Sequence, residues 1–390
     1  MSDVFFPRVN GVSTSILTYR ADLLSLGHEC TLVSPQYPEP PETTDDSSTV
    51  RIPSWRVPFD PEDRVLKWLK LTSWAKNCER GQFDIVHIQT PFTAHYAGLR
   101  IARRLGIPAV ETYHTYFEHY LHHYIPLLPS ILTRTIARRL TLSQCRDVDA
   151  VISPSPQMEQ ALQAYGVSKP IVVLPTGLPP SAFVSGDRDR FRKQHSIAPN
   201  RPVALYVGRL AHEKNIDFLI DMLTSLLKVV PDVLLVVAGE GPAESHVRNL
   251  VKSRGLQACV FFVGYMDRAN TLRDCYSAAD VFVFASRTET QGLVILEALA
   301  QGTPVVSTAV MGTADVLKGV KGAFVVPELA EPFAAAVARI LTEPQLRTDM
   351  SNAARPDAQA WASQAMAVRL IRFYERVIQA RASSPGRLQS

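Results

Sequence analysis

The stretch that decides the fold is VFVFASRTETQGLVILEALAQGTPVVST, residues 281–308. Residues 281–285 form a short apolar run of β-branched and aromatic side chains, the composition of a buried parallel strand. Leucine and alanine then recur at helical spacing up to Ala300, and the Gly-Thr-Pro sequence at 302–304 ends that helix before a further strand. The stretch therefore predicts a strand, a loop, a helix and a second strand.

Two glutamates in this stretch can address one ligand. Glu289 lies in the loop after the first strand, and Glu297 follows eight residues later, about two helical turns along. The N–H groups at the start of the helix point into the same space and favour an anion there. The alternative is a surface loop glutamate beside a solvated helical glutamate.

Length and composition indicate a two-domain globular protein. The chain has 390 residues, of which 46% are hydrophobic and 20% are charged. A formal net charge of +4 does not by itself indicate nucleic-acid binding, and we expect no nucleic-acid partner. Five cysteines are scattered without a C-x-x-C pair, which argues against a disulfide framework or a zinc site and favours a reducing, cytoplasmic setting.

Membrane insertion is not expected. No run approaches the roughly eighteen apolar residues of a transmembrane helix, and the N-terminus lacks the pattern of a signal peptide. Attachment to a membrane surface stays open. The helix predicted over 63–80 combines lysine and arginine with two tryptophans, which is typical either of a membrane-surface face or of a packed helix with a solvated basic side.

The first half alternates strands and helices. A very short strand is predicted at 4–6, followed by a loop containing Gly11 and a helix from residue 12. Gly11 either lets a ligand approach the backbone or is an ordinary turn glycine. Residues 35–62 are rich in Pro, Asp, Thr and Ser and predict a loop. The remaining predicted elements are strands at 30–34, 83–88, 109–112, 148–153 and 171–174, and helices at 94–105, 131–146 and 156–165.

An aromatic and histidine-rich stretch, residues 113–124, follows one predicted strand. His114 lies where that strand ends, and doubly wound sheets bind ligands at this edge. His119, His122 and His123 lack the supporting cysteine or carboxylate spacing of a metal site, so we expect no metal there. An amphipathic aromatic surface is the favoured interpretation.

The second half shows the same alternation after a predicted linker at 175–201. Gly208, Arg209 and Lys214 follow the strand at 203–207, where two cations suit a diphosphate. Gly239 and Gly241 form a glycine-rich loop after the strand at 232–238. Further strands are predicted at 260–263, 281–285, 305–307 and 322–326, and helices at 216–227, 269–279, 332–341 and 358–380. The fold class is therefore α/β, with two Rossmann-like doubly wound domains.

These motifs resemble the retaining nucleotide-sugar glycosyltransferases of family four, which have the GT-B fold of two Rossmann-like domains facing across a cleft. The Glu-x7-Glu pattern followed by Ala-Leu-Ala-x-Gly-x-Pro-Val carries the most specific likeness, and the Gly-Arg-x4-Lys segment strengthens it. The matching stretches span nearly the whole chain in the family's order: FFPRVNGVSTSI, FDIVHIQTPF, ETYHTYF, VISPS, YVGRLAHEKN, VVAGEGP and ETQGLVILEALAQGTPVV. The family usually has Pro-Asn-Gly where this chain has Pro-Thr-Gly at 175–177.

The resemblance implies a role for each matching residue. Arg209 and Lys214 would bind the donor diphosphate, Glu297 the ribose and Glu289 a sugar hydroxyl. Gly11 would let its loop approach the sugar and diphosphate, and His114 would contact the sugar. We expect catalytic side chains at His114, Arg209, Lys214 and Glu289. The expected donor-binding residues are Gly11, Gly208, Arg209, Lys214, Gly239, Gly241, Glu289, Gln291, Gly292, Leu293 and Glu297.

The expected activity is a metal-independent, retaining transfer of a hexose from a nucleotide-diphosphate sugar, UDP-hexose or GDP-mannose, with no further cofactor. An acceptor-side domain would cover residues 1–177, with a helix at about 366–390 packing back on it, and a donor domain residues 178–365. The basic residues of 63–80 and 131–146 favour a lipid or lipid-linked acceptor and a protein peripheral on the inner face of the cell membrane. A soluble acceptor, a nucleotide-sugar epimerase and an inactive sugar-nucleotide-binding module are the alternatives.

Overall fold

The structure is a computed structural model that describes residues 1–8, 10–38, 45–57, 60–114, 130–267 and 271–383. The chain divides into two compact units, Met1–Gly177 with Ser363–Ser390, and Leu178–Ala362. Each unit is built around parallel strands, as the alternating pattern predicts.

The first unit carries a four-stranded parallel sheet and two smaller strand pairs. Its strands are β1 (Leu32–Pro35), β2 (Thr49–Ile52), β3 (Ser54–Val57), β4 (Asp60–Leu66), β5 (Val86–Ile88), β6 (Ala109–Thr112), β7 (Ala150–Ser153) and β8 (Ile171–Val173). Its first helices are α1 (Gly11–Ser25), α2 (Trp68–Lys76), α3 (Thr93–Leu105), α4 (Ser130–Asp147) and α5 (Pro156–Tyr165). The sheet has the order β5-β6-β7-β8; β1 and β2 pair in parallel, and β3 and β4 form an antiparallel hairpin.

The strand predicted at residues 4–6 is wrong. No strand is assigned there, and the backbone contacts come earlier: Ser2 N donates to Val33 O at 3.0 Å, and Gln89 N donates to Met1 O at 2.9 Å. Asp3 is buried and its carboxylate accepts from Ala94 N at 3.0 Å, in the first turn of α3. This segment therefore lies between β1 and β5 and caps a helix.

The structure of residues 35–80 differs from two predictions. The predicted loop contains β2 and β3, and the predicted helix over 63–80 begins only at Trp68, because the residues before it belong to β4. Burial alternates in that strand: Arg64 and Leu66 are buried, whereas Val65 is 40% exposed. A period of two residues is the signature of a half-buried strand and not of a helix.

The second unit has a six-stranded parallel sheet with helices around it. Its helices are α6 (Arg188–Gln194), α7 (Ile216–Leu226), α8 (Glu244–Ser253), α9 (Thr271–Ala278), α10 (Leu293–Ala300), α11 (Gly312–Leu317), α12 (Ala330–Thr342) and α13 (Pro344–Gln359). Its strands are β9 (Val203–Val207), β10 (Leu234–Ala238), β11 (Val260–Gly264), β12 (Val281–Phe284), β13 (Val305–Ser307) and β14 (Ala323–Val325).

The strand order β11-β10-β9-β12-β13-β14 places the topological switch between β9 and β12. Both strands are fully buried, and the rings of Phe282 and Phe284 are at most 1% exposed. Burying each such ring contributes about 1.5–3 kcal/mol, so this part of the core is rigid. The loops after β9 and β12 are therefore neighbours on a fixed scaffold.

Two boundary predictions also change. The predicted linker at 175–201 contains regular structure from residue 180. It holds a 3-10 turn, Pro180–Phe183, and α6, where the Asp187 side chain accepts from Arg190 N. The predicted helix over 358–380 is two helices, α13 and α14 (Ser363–Ala382). α14 packs on the first unit, where Leu370 and Phe373 join a core with strands β6 and β7.

Candidate active site

The loop after β9 begins at Gly208, and Tyr206, near the end of β9, supports it through a hydrogen bond. The Tyr206 hydroxyl donates to the Arg209 carbonyl oxygen at 3.2 Å. A Cβ atom on Gly208 would lie 2.8 Å from that hydroxyl oxygen, so the position leaves little room for a side chain. His212–Lys214 then forms a 3-10 turn, which ends at Asn215 in the left-handed region. The chain turns sharply here and presents Arg209 and Lys214 at the end of the strand.

The glycine-rich loop after β10 packs directly against this first loop. A Cβ atom on Gly239 would lie 2.1 Å from the Gly208 carbonyl oxygen, and one on Gly241 would lie 2.4 Å from the Leu210 carbonyl oxygen. Leu210 N also donates to Glu240 O at 2.9 Å. Both glycines are therefore required by backbone packing between the two loops, a reason that the sequence alone does not give.

The loop after β12 meets the loop after β9 through an ion pair. Lys214 Nζ lies 2.5 Å from Glu289 Oε1, and the two side chains are 15% and 19% exposed. The structure thus brings together Lys214 and Glu289, which are 75 residues apart in sequence. At this burial each charge is only partly hydrated, so the attraction between the two charges is stronger than it would be in bulk water.

Gly292 and Leu293 form the start of α10. Gly292 caps the helix at φ +84°, a conformation that favours glycine, and a Cβ atom there would lie 2.8 Å from Thr313 Cγ2. Gln291 is buried, and Gly312 N donates to Glu289 O at 2.9 Å. The first N–H groups of an α-helix have no acceptor inside the helix and favour an anion.

Glu297 lies inside α10 and is half-buried. Its Oε2 atom accepts from the Tyr276 hydroxyl at 2.9 Å. Tyr276 is a functional candidate that the sequence reasoning missed, because its apolar ring fits the core pattern of α9 and nothing in the sequence marks its hydroxyl.

Two of the expected site residues, Gly11 and His114, belong to the first unit. Gly11 is the first residue of α1, where the Asn10 side chain accepts from Ser13 N at 2.8 Å, and a Cβ atom on Gly11 would meet nothing within 4 Å. His114 follows β6, and its Nε2 donates to Gln89 Oε1 at 2.7 Å. Burial lowers the pKa of His114 to about 4, so its imidazole is neutral near pH 7.

A second histidine, His87, lies on β5 close to the carboxyl end of β6. His87 on β5 contacts the Thr112 hydroxyl at 2.7 Å and the Tyr374 hydroxyl of α14 at 2.5 Å. Burial holds the pKa of His87 well below its usual range. No sequence pattern marks His87 as a functional residue, because it lies inside a strand.

Within the described residues, no group of three His, Cys, Asp or Glu side chains is arranged to hold a metal ion. His119, His122 and His123 lie outside those residues. No helix in the described part of the chain is both long and apolar enough to cross a bilayer.

Comparison with known proteins identifies the family. Residues 9–182 match the family model described as Glycosyltransferase Family 4, and residues 187–357 match that described as Glycosyl transferases group 1. The alpha-monoglucosyldiacylglycerol synthase of Streptococcus pneumoniae is 34% identical over 319 residues, which cover 78% of this chain and 69% of the relative. The synthase of the same name from Acholeplasma laidlawii is 28% identical over 317 residues, 78% of each chain.

A solved structure supports the same fold. Sucrose-phosphate synthase from Thermosynechococcus elongatus superposes with a TM-score of 0.78 at 22% identity, covering 95% of this chain and 94% of that chain. The fold is therefore the GT-B architecture of two Rossmann-like domains. The chain belongs to the family-four glycosyltransferases, and it is an enzyme that transfers a sugar.

Proposed function

We propose that this enzyme transfers a hexose from a nucleotide-diphosphate sugar to a lipid acceptor and retains the configuration at the anomeric carbon. The observation that carries the proposal is the Lys214–Glu289 pair, which joins the loops on either side of the switch point in the second unit. A cation for a phosphate and a carboxylate for a sugar hydroxyl stand side by side there. The donor is a UDP-hexose or GDP-mannose.

The chemistry requires charge stabilisation more than a strong nucleophile. As the bond between the sugar and the diphosphate breaks, negative charge builds up on the leaving phosphate, and Arg209 and Lys214 stabilise it. The N–H groups at the start of α10 add to this positive field. Since two cationic side chains supply the charge, the transfer needs no metal ion.

The remaining residues hold the donor in position. Glu297 accepts hydrogen bonds from the ribose hydroxyls, and Glu289 accepts from a hydroxyl of the hexose. The backbone of Gln291, Gly292 and Leu293 lies near the sugar and phosphate in this assignment. Gly11 and His114 are assigned to the sugar, and the low pKa of His114 makes it a neutral hydrogen-bonding group there.

A lipid acceptor is supported by the relatives' names. Both synthases described above are named for an alpha-linked glucosyl group on diacylglycerol. An alpha linkage is the product of a retaining transfer from an alpha-configured nucleotide sugar. Diacylglycerol is therefore the first acceptor to test, with glucose as the first hexose.

An exposed aromatic and basic surface of the first unit supports the same acceptor class. The hairpin and the start of α2 expose Trp55 (64%), Trp68 (41%) and Leu69 (81%), and Lys67 Nζ lies 4.0 Å from the centre of the Trp55 ring. We call this surface, with Val65 and Lys70, the hairpin patch. Tryptophan beside lysine is typical of the interface of an anionic bilayer. The proposed location is the cytoplasmic face of the cell membrane.

The test is transfer from a panel of donors. The purified protein is incubated with UDP-glucose, UDP-galactose or GDP-mannose and vesicles containing diacylglycerol, and the lipids are read by mass spectrometry, with the anomeric configuration read by NMR. A glycosylated lipid with the donor's configuration supports the proposal. Transfer to a soluble acceptor alone, interconversion of the nucleotide sugar without transfer, or an inverted product would each contradict it.

A further inference from the structure

A buried tyrosine holds the carboxylate assigned to the ribose. Tyr276 lies on the last turn of α9, is 2% exposed, and donates its hydroxyl hydrogen to Glu297 Oε2 at 2.9 Å. Glu297 lies on the neighbouring helix, α10. The bond therefore links α9 and α10 at Glu297, the residue that is proposed to bind the ribose.

The tyrosine ring is held firmly by the core. Its centre lies 5.8 Å from that of Phe282 on β12, and its backbone carbonyl accepts from the buried Thr303 hydroxyl at 2.8 Å. The position of the Tyr276 hydroxyl is therefore fixed by the sheet and by the chain after α10.

The ring contacts continue from Phe282 to the loop after β9, which carries Arg209. Phe282 stacks on Phe284 with 5.9 Å between ring centres, and Phe284 stacks on Tyr206 at 6.1 Å. Tyr206 donates to the Arg209 carbonyl oxygen. A tyrosine hydroxyl thus supports a donor-site element at each end of the row: Glu297 at one end and the Arg209 loop at the other.

A bond from a buried hydroxyl to a carboxylate has two effects. It is about twice as strong as a bond between neutral groups, and it restricts rotation of the carboxylate plane. A ribose diol needs an acceptor whose lone pairs already point at it, because ordering a glutamate side chain on binding costs affinity.

We infer that Tyr276 is a positioning residue for the donor nucleotide, acting through Glu297 on recognition of the ribose hydroxyls. The inference rests on the proposed function, which assigns Glu297 to the ribose. In this inference Tyr276 acts through Glu297, to which its hydroxyl donates, and not by binding the nucleotide itself. The competing explanation is that the bond only stabilises the packing of α9 on α10.

The experiment separates ribose recognition from stability. Tyr276→Phe keeps the ring and removes only the hydroxyl. Binding of UDP and GDP is measured by calorimetry, and the nucleotide that binds is compared with its 2′,3′-dideoxy analogue. We expect Tyr276→Phe to weaken binding of the normal nucleotide by about tenfold, and that of the dideoxy analogue by less than about twofold. A packing role would weaken both alike.

Tyr206→Phe is the matched control. It removes the other hydroxyl of the row, which supports the loop carrying Arg209 and not Glu297, so any loss should be the same for both nucleotides. A loss confined to the normal nucleotide in Tyr206→Phe would overturn the inference, because the readout would then not report on Glu297.

Four further outcomes would overturn either the inference or the assignment on which it rests. In a Glu297→Ala background, Tyr276→Phe should cause no additional loss, since the residue it positions is gone; an additional tenfold loss would overturn the inference. Equal affinity of the wild type and Tyr276→Phe for the normal nucleotide would overturn the inference alone. Failure of the wild type to bind UDP or GDP, or an unchanged affinity in Glu297→Ala, would overturn the assignment on which it rests.

Discussion

Lys214 and Glu289 form a largely buried ion pair, with Nζ and Oε1 separated by 2.5 Å, that joins the loop after β9 to the loop after β12. The two residues have different proposed ligands, the diphosphate and the sugar. The pair therefore restricts both side chains to the space between the two loops. In the proposed function, each residue would exchange its partner for a ligand group of matching charge or polarity when the donor binds.

Replacement of Lys214 tests the phosphate role. We expect Lys214→Ala to reduce kcat by at least about 100-fold, because a fixed positive charge beside the leaving phosphate is lost. The free energy of unfolding should change far less than the activity, because Lys214 lies in a loop and contributes nothing to the hydrophobic core of the unit. The measurements are turnover of the nucleotide sugar and circular dichroism.

Lys228→Ala provides the control for this change. Lys228 is an exposed lysine of the same unit, just after α7, and its replacement should leave kcat unchanged. Near-normal turnover in Lys214→Ala would remove Lys214 from the phosphate role, and an equal loss in both variants would point to a general charge effect.

The glycines of the two units should respond differently to alanine. Gly239→Ala should destabilise the protein by several kcal/mol, because the new Cβ atom would lie 2.1 Å from the Gly208 carbonyl oxygen and φ is +130°. Gly11→Ala meets nothing within 4 Å at the start of α1, so its melting temperature should be equal to or slightly above that of the wild type.

The kinetics of Gly11→Ala distinguish a donor-binding role of Gly11 from a purely structural one. If the donor approaches the backbone at Gly11, alanine should reduce kcat/KM for the nucleotide sugar while the protein stays folded. Wild-type kinetics in Gly11→Ala would identify it as an ordinary glycine at a helix start. Thermal unfolding and donor-dependent kinetics on the same samples make the comparison.

The sheet of the second unit could be predicted closely because its strands are continuous apolar runs. Strands β9 and β13 have the predicted ends, and β12 differs by one residue. Residues 35–80 could not be predicted as well, since β3 is short, β4 carries several charged residues, and the two strands gain their stability from pairing with each other. Pairing across a hairpin without a strong turn signal leaves little trace in the sequence.

The candidate site, like the fold, could be predicted only in part. Loops that follow strands of one parallel sheet must share an edge, so Lys214 and Glu289 could be expected to approach each other. The support from Tyr276 and Gln89 could not be foreseen. Their hydrogen bonds depend on side-chain directions that only the packed structure fixes.

His114 should make stability depend on pH. Its pKa is lowered by burial from 6.5 to about 4, so between these values the unfolded chain binds more protons than the folded one. The free energy of unfolding therefore rises with pH through this window, by about 3 kcal/mol at most. This rise is complete above pH 6.5. His114→Gln removes the effect, so the stability difference between wild type and variant should be larger at pH 7.5 than at pH 5.

Urea unfolding at both pH values checks this expectation. Asp3, whose pKa is raised by burial to about 6, changes stability in the opposite direction, but it is present in both proteins and cancels in the difference. A difference that stays constant from pH 5 to pH 7.5 would show that the ionisation of His114 is not coupled to folding.

The hairpin patch should control binding to anionic vesicles. Lysine near an anionic bilayer contributes on the order of 1 kcal/mol, so Lys67→Gln with Lys70→Gln should weaken partitioning roughly 30-fold, and added salt should weaken that of the wild type. Trp55→Ser with Leu69→Ser should weaken binding at every salt concentration, because those side chains are 64% and 81% exposed and apolar. Arg138, on α4, is a poorer target, since its guanidinium donates to the Ala164 carbonyl oxygen.

The matched control lies on the other unit. Lys228→Gln with Val229→Ser removes one exposed lysine and one 62%-exposed apolar side chain far along the sequence from the hairpin patch, and it should leave sedimentation with vesicles unchanged. An equal loss in this control would mean that binding follows overall charge and not the hairpin patch. A wild-type protein that never sediments with anionic vesicles would contradict membrane attachment. Transfer to diacylglycerol in detergent could still proceed, because the residues proposed to bind the donor diphosphate belong to the second unit and not to the hairpin patch.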